Sequence, residues 1–136
     1  MVDKIKSGKV IKYWKESAER TFATAEFLFK GRWYPECLFF CHLAIEKILK
    51  ALVVQKTKTH APYTHKLIEL AKLAKIDLSS EQIEHLTVIT EFNIAARYNE
   101  IKFDFHQKST KVYTEKYFMI SKKLYTWLKK QISLKK

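Results

Sequence analysis

From Pro35 to Gln55 the chain reads PECLFFCHLAIEKILKALVVQ, a stretch that is apolar on nearly every side of a helix. A helix of that kind belongs in the middle of a bundle, because it has no face to give to water. Yet His42, Glu46 and Lys50 recur on it at spacing four and therefore stand in one line. Ionisable groups placed there cost free energy unless they are paired. The segment thus demands other helices packed around it and a polar seam between them.

The rest of the chain supplies those helices. Two Gly and two Pro in 136 residues leave few turns, and 47% hydrophobic residues are enough for a core. The expectation is a single domain over residues 1–136, with its core at about 12–132. A first helix is predicted from Val10 to Lys30, with Trp14, Ala18, Phe22, Ala25 and Phe29 as its apolar stripe. Gly31 stands where a left-handed cap is wanted, and Pro35 sits in the first turn of the second helix, Pro35 to Gln55. The loop KTKTHAPYTH leads to a short helix, Lys66 to Lys75. Ser79 and Gln82 form a capping box ahead of a helix from Ser80 to Tyr98, with Ile83, Leu86, Thr90 and Ile94 inward. Asn99 to Ser109 read as a polar–aromatic loop, and a last helix runs from Thr110 to Ser133. The predicted fold is all-α, an antiparallel up-down four-helix bundle with a short additional helix.

No apolar run reaches the roughly 18 residues that span a bilayer, and the start MVDKIKSGKV has no signal-peptide core. A cytoplasmic protein without a membrane partner is expected. Cys37 and Cys41 lie on one helical face and read as buried thiols; there is no CxxC pair and no HExxH, so no metal is called for. There is also no P-loop, dinucleotide fingerprint or GxSxG turn, which excludes the common nucleotide hydrolases and dehydrogenases and implies no cofactor. The net charge is +12, with seven lysines and no acid from Lys116 onward. Such ends favour polyanions, or simply keep the protein in solution.

Two constellations carry chemistry. His42, Glu46 and Lys50, with Lys47 beside them, form either a structural ion pair or the polar wall of a cleft. The second is AARYNEIKFDFH, residues 95–106. A guanidinium at Arg97 can hold a phosphate through two parallel hydrogen bonds, or serve as a structural partner of Glu46. His106, brought to Arg97, would suffice for RNA cleavage without metal: the imidazole shuttles the 2′-hydroxyl proton and the arginine stabilises charge on phosphorus. A histidine in a polar loop is otherwise simply solvated. Tyr98, Phe103 and Phe105 either stack bases or fill the core. His65, at the head of the short helix, reads as a capping or packing residue.

These segments together resemble the HEPN family (higher eukaryotes and prokaryotes nucleotide-binding domain) in its small stand-alone prokaryotic form. The carriers are Trp14-x3-Ala18, then AEFLFKGRWYPECLFFCHLAIEKILKALVV, then His65-Lys66-Leu67, then AARY at residues 95–98, so that the resemblance runs from about Tyr13 to Gln131. It implies a helical bundle, commonly a homodimer, partnered by a minimal nucleotidyltransferase protein in a two-gene, toxin–antitoxin-like module. Its catalytic signature is an arginine, four to six residues, then a histidine. Arg97 matches the arginine; eight residues separate it from His106, so the histidine departs from the pattern. What the resemblance implies here is a dimer that binds nucleotide or RNA phosphates between subunits. Arg97 would be the clamp, Glu46 would orient it, Lys47 and Lys50 would add positive potential, and His42, Tyr98 and Asn99 would complete the site. The alternatives are a metal-independent RNase toxin using Arg97 and His106, and a non-catalytic adaptor that scaffolds a partner enzyme.

Overall fold

The computed structural model describes residues 6–95 and 99–133, and within them every regular element is a helix. These are α1 (Ser7–Lys30), α2 (Tyr34–Thr57), α3 (Leu67–Leu73), α4 (Ser80–Ala95), α5 (Asn99–Lys108) and α6 (Lys111–Lys129). Helix α2 touches all five others, as its all-round apolar surface requires. Fourteen of its residues are buried, among them Leu38, Ile45, Ile48 and Leu49 at 0% exposure. No helix among the described residues is long and apolar enough to cross a membrane.

The local signals explain most boundaries. The Ser79–Gln82 box closes in both directions, with the Ser79 N–H donating to Gln82 Oε1 at 2.9 Å and the Gln82 N–H to Ser79 Oγ at 3.1 Å. Thr110 caps α6 by accepting from the Tyr113 N–H. The turn between α1 and α2 differs from the sequence expectation. Gly31 is right-handed (φ −79°, ψ −2°), and the left-handed residue is Arg32 (φ 66°). A Cβ at 31 would lie 2.8 Å from Trp33 Cδ1, on an exposed ring that can move aside.

Two further expectations are corrected. Residues 99–108 form helix α5 rather than a loop. Phe105 packs on the core from it, next to Phe92 (ring centroids 5.6 Å apart), while Phe103 faces solvent. On α4 the inward residues are Leu86, Ile89, Phe92 and Asn93, and Ile83 is 43% exposed. Thr90 is half-buried, bonding its hydroxyl to the Leu86 carbonyl and receiving the Leu67 N–H from α3, and the Ile94 side chain lies outside what is described.

An aromatic ladder fixes how the first and last helices meet. Phe29 stacks on Phe118 (4.9 Å), Phe118 on Phe22 (5.8 Å), and Phe22 on Tyr125 (4.6 Å, 3° between planes). Phe22 pairs with Tyr125 and Phe29 with Phe118, so α1 and α6 run in opposite directions. The three-residue turn at 31–33 makes α1 and α2 antiparallel as well. Helix α6 packs alongside α2 and runs in the same direction. Gln55 near the end of α2 holds the chain beyond α6: its Nε2 donates to the Gln131 carbonyl and its Oε1 accepts from the Ser133 N–H.

Candidate functional site

Spacing four along α2 brings His42, Glu46 and Lys50 onto one buried line, 0%, 5% and 6% exposed. The loop after α2 then folds back and delivers His65. Glu46 is the hub. Its Oε1 accepts from His65 Nδ1–H at 2.8 Å, and its Oε2 pairs with Lys50 Nζ at 3.1 Å. His42 Nε2 lies 3.1 Å from the His65 carbonyl and 3.7 Å from Glu46 Oε1. A carbonyl can only accept, so Nε2 carries the proton and Nδ1 is the bare nitrogen. That Nδ1 is buried without a hydrogen-bond partner among the described residues. Burial pushes the pKa of His42 below its usual value, against the smaller pull of the His65 carbonyl and Glu46. The His42 ring is therefore neutral at pH 7, beside the Glu46–Lys50 ion pair.

Lys50 is closed off from solvent. Its Nζ lies 5.3 Å from the centre of the Trp14 ring on α1 and 5.9 Å from that of Tyr63 in the loop, with Glu46 as its counterion. Lys47, one position on from Glu46, faces the other way, toward the groove between α1 and α2. Its Nζ donates to Thr21 Oγ1 at 2.8 Å, and burial lowers its pKa, with Arg20 and Lys50 adding to the depression and Glu46 opposing it. The groove has a volume of about 410 Å³, and Tyr13, Glu16, Ser17, Arg20 and Phe40 are among its other walls.

Of the residues expected from sequence, the structure brings His42, Glu46 and Lys50 together and sets Lys47 on the adjoining face. Arg97 and Tyr98 lie outside the described residues. Asn99 is the first residue of α5, and its side chain also lies outside what is described. His106 is exposed in the last turn of α5, and none of the cluster's hydrogen bonds or ion pairs among the described residues reaches it. Sequence reasoning missed His65 as a partner of Glu46. The nearest signal was His65-Lys66-Leu67 standing just after the loop, which marks the residue without saying where it folds. It also missed Thr21, a threonine within an otherwise apolar stripe.

A family model described as HEPN domain matches residues 11–131, nearly the whole chain. No curated protein and no solved structure matches it.

Proposed function

This chain belongs to the HEPN domain family, and from that premise we propose that it binds nucleotide or RNA phosphates without cleaving them. Two copies would contribute to the site. Arg97 is the clamp in this reading, with Tyr98 and Asn99 beside it, and the His42–Glu46–Lys50–His65 cluster is the rigid frame behind it. The partner in this reading is a minimal nucleotidyltransferase protein, within a toxin–antitoxin-like pair.

One observation carries the binding reading. Lys47 is a partly buried cation whose bonded neighbour is a hydroxyl, while the nearby carboxylate of Glu46 is held by Lys50 and His65. A cation fixed in this way beside a groove is receptive to an anion from outside. Binding without cleavage is favoured by the eight residues between Arg97 and His106, which depart from the family's spacing of four to six.

The test is fluorescence anisotropy of a labelled RNA with the full chain in EDTA, read together with a gel of the same RNA and a sedimentation mass. The expected result is a dimer that binds intact RNA, weakens as salt rises and loses affinity in Arg97→Ala. Cut RNA whose cutting stops in His106→Ala would replace this reading with the RNase. Absence of binding to RNA and to mononucleotides at low salt would reject it altogether.

A further inference from the structure

A second concentration of polar groups lies in the groove between α1 and α2. Spacings of three and four along α1 turn Tyr13, Ser17, Arg20 and Thr24 to one side, and Lys47 meets them from α2. Among the described residues neither Arg20 nor Lys47 has a carboxylate within ion-pair distance. They are close enough for the guanidinium to depress the pKa of the amine. Burial is the main cost to the Lys47 ammonium, with Arg20 adding to it and Glu46 opposing, and an anion seated in the groove between the two cations would offset that cost. Thr21 is buried and accepts from Lys47, which leaves its own O–H to donate; Ser17 offers another hydroxyl. The Thr24 hydroxyl is already used on the Arg20 carbonyl.

We propose, building on the phosphate-binding reading above, that this groove seats a terminal phosphate: that of one mononucleotide or of an RNA 5′ end. Arg20 and Lys47 are the charged donors, and Ser17 and Thr21 the hydroxyl donors. A phosphate monoester has three terminal oxygens and two charges, which this set of donors can use. A carboxylate has too few oxygens, and an internal phosphodiester has one charge and two free oxygens. The volume of about 410 Å³ is near the lower end of small-molecule sites (roughly 300–1,000 Å³) and suits one nucleotide rather than a duplex. The groove also has a direction. Glu16 lies about one turn from Arg20 toward Tyr13, exposed and loosely paired with Lys12 at 3.9 Å. Its carboxylate accepts from a sugar hydroxyl and repels a second phosphate, while the exposed ring of Tyr13 offers the base a face.

The test is an amide-shift titration of the ¹⁵N-labelled full chain by NMR. The probes are inorganic phosphate, uridine, uridine 5′-monophosphate and 5′-triphosphate, and one RNA hexamer with and without a 5′-phosphate. Inorganic phosphate and the monophosphate should shift residues 13–24 and 47 saturably, and uridine should not. The triphosphate should bind more weakly than the monophosphate, and Glu16→Gln should narrow that difference. Arg20→Gln, on an exposed side chain with no ion pair among the described residues, should weaken the monophosphate about tenfold, and Lys47→Gln similarly. A hexamer that binds only when 5′-phosphorylated identifies the RNA end as the source; the mononucleotide alone identifies the free nucleotide. RNA bound equally by wild type and Arg20→Gln overturns the groove and leaves the general phosphate-binding reading in place. Inorganic phosphate seated in the groove, with no nucleotide or RNA bound anywhere, overturns the nucleotide as ligand and that reading with it.

Discussion

Breaking the ion pair at the centre of α2 is the sharpest test of how the molecule is built. Glu46 and Lys50 stand 3.1 Å apart with side chains 6% and 8% exposed. At an effective dielectric of about 20, that separation gives a gross attraction of about 5 kcal/mol, most of which offsets the cost of removing both charges from water. Glu46→Gln keeps the shape and the acceptor for His65 but leaves the ammonium with only two aromatic rings. Losing one partner of a buried pair costs about 3–5 kcal/mol, or roughly 10–20 °C in Tm for a chain of this length. Lys50→Met leaves a carboxylate still held by His65, and its expected cost is smaller, about 2–4 kcal/mol. The double variant has no buried charge to strand, so it should be more stable than the sum of the single losses by at least about 2 kcal/mol. Urea unfolding at one fixed protein concentration, with the midpoints compared at constant m-value, measures all four corners. Additivity within about 0.5 kcal/mol would show that the two groups do not depend on each other, and the account of the cluster would fail.

Two further outcomes follow from the same structure. The folded state holds His42 neutral, with a pKa below the ordinary 6.5, so the unfolded chain binds the extra proton first as pH falls. Stability should be full above about pH 6.5 and decline below it, by up to about 1.4 kcal/mol per pH unit, until the folded state also protonates. Urea midpoints between pH 7.5 and 5 should show this slope, and a folded His42→Phe protein that kept it undiminished would contradict the assignment. At the α1–α2 turn, Arg32→Gly should stabilise by up to about 1 kcal/mol by relieving a left-handed arginine. Gly31→Ala should cost less than about 1 kcal/mol, because the exposed Trp33 ring can give way; a loss above about 2 kcal/mol would mean that Gly31, not Arg32, is the left-handed residue.

How far the sequence reaches depends on whether a contact is local. The all-helical bundle, the central place of α2 and the Ser79–Gln82 cap rest on periodicity and short-range chemistry, and all three stand in the structure. From sequence, residues 99–108 of α5 look like a loop, because NEIKFDFHQK alternates apolar and polar residues around Phe103 and Phe105, which obscures the helical period. The line of His42, Glu46 and Lys50 was legible from its spacing. Its completion was not: His65 reaches Glu46 across a loop, and Trp14 and Tyr63 close over Lys50 from two other segments. Nor does any periodic pattern show that Lys47 turns away from its neighbours to meet Thr21. Arg97 lies outside the described residues, so its part in the site rests on the AARY motif.

The stacked rings of Phe29, Phe118, Phe22 and Tyr125 join α1 to α6, two helices far apart along the chain. On the ribosome α1 emerges well before α6, and its phenyl groups wait for their counterparts. α1 and α2 can meet as a hairpin meanwhile, but that hairpin keeps a greasy flank uncovered until α6 has been made. The vulnerable interval is therefore the time between the emergence of α2 and that of α6, and chaperone demand should concentrate there.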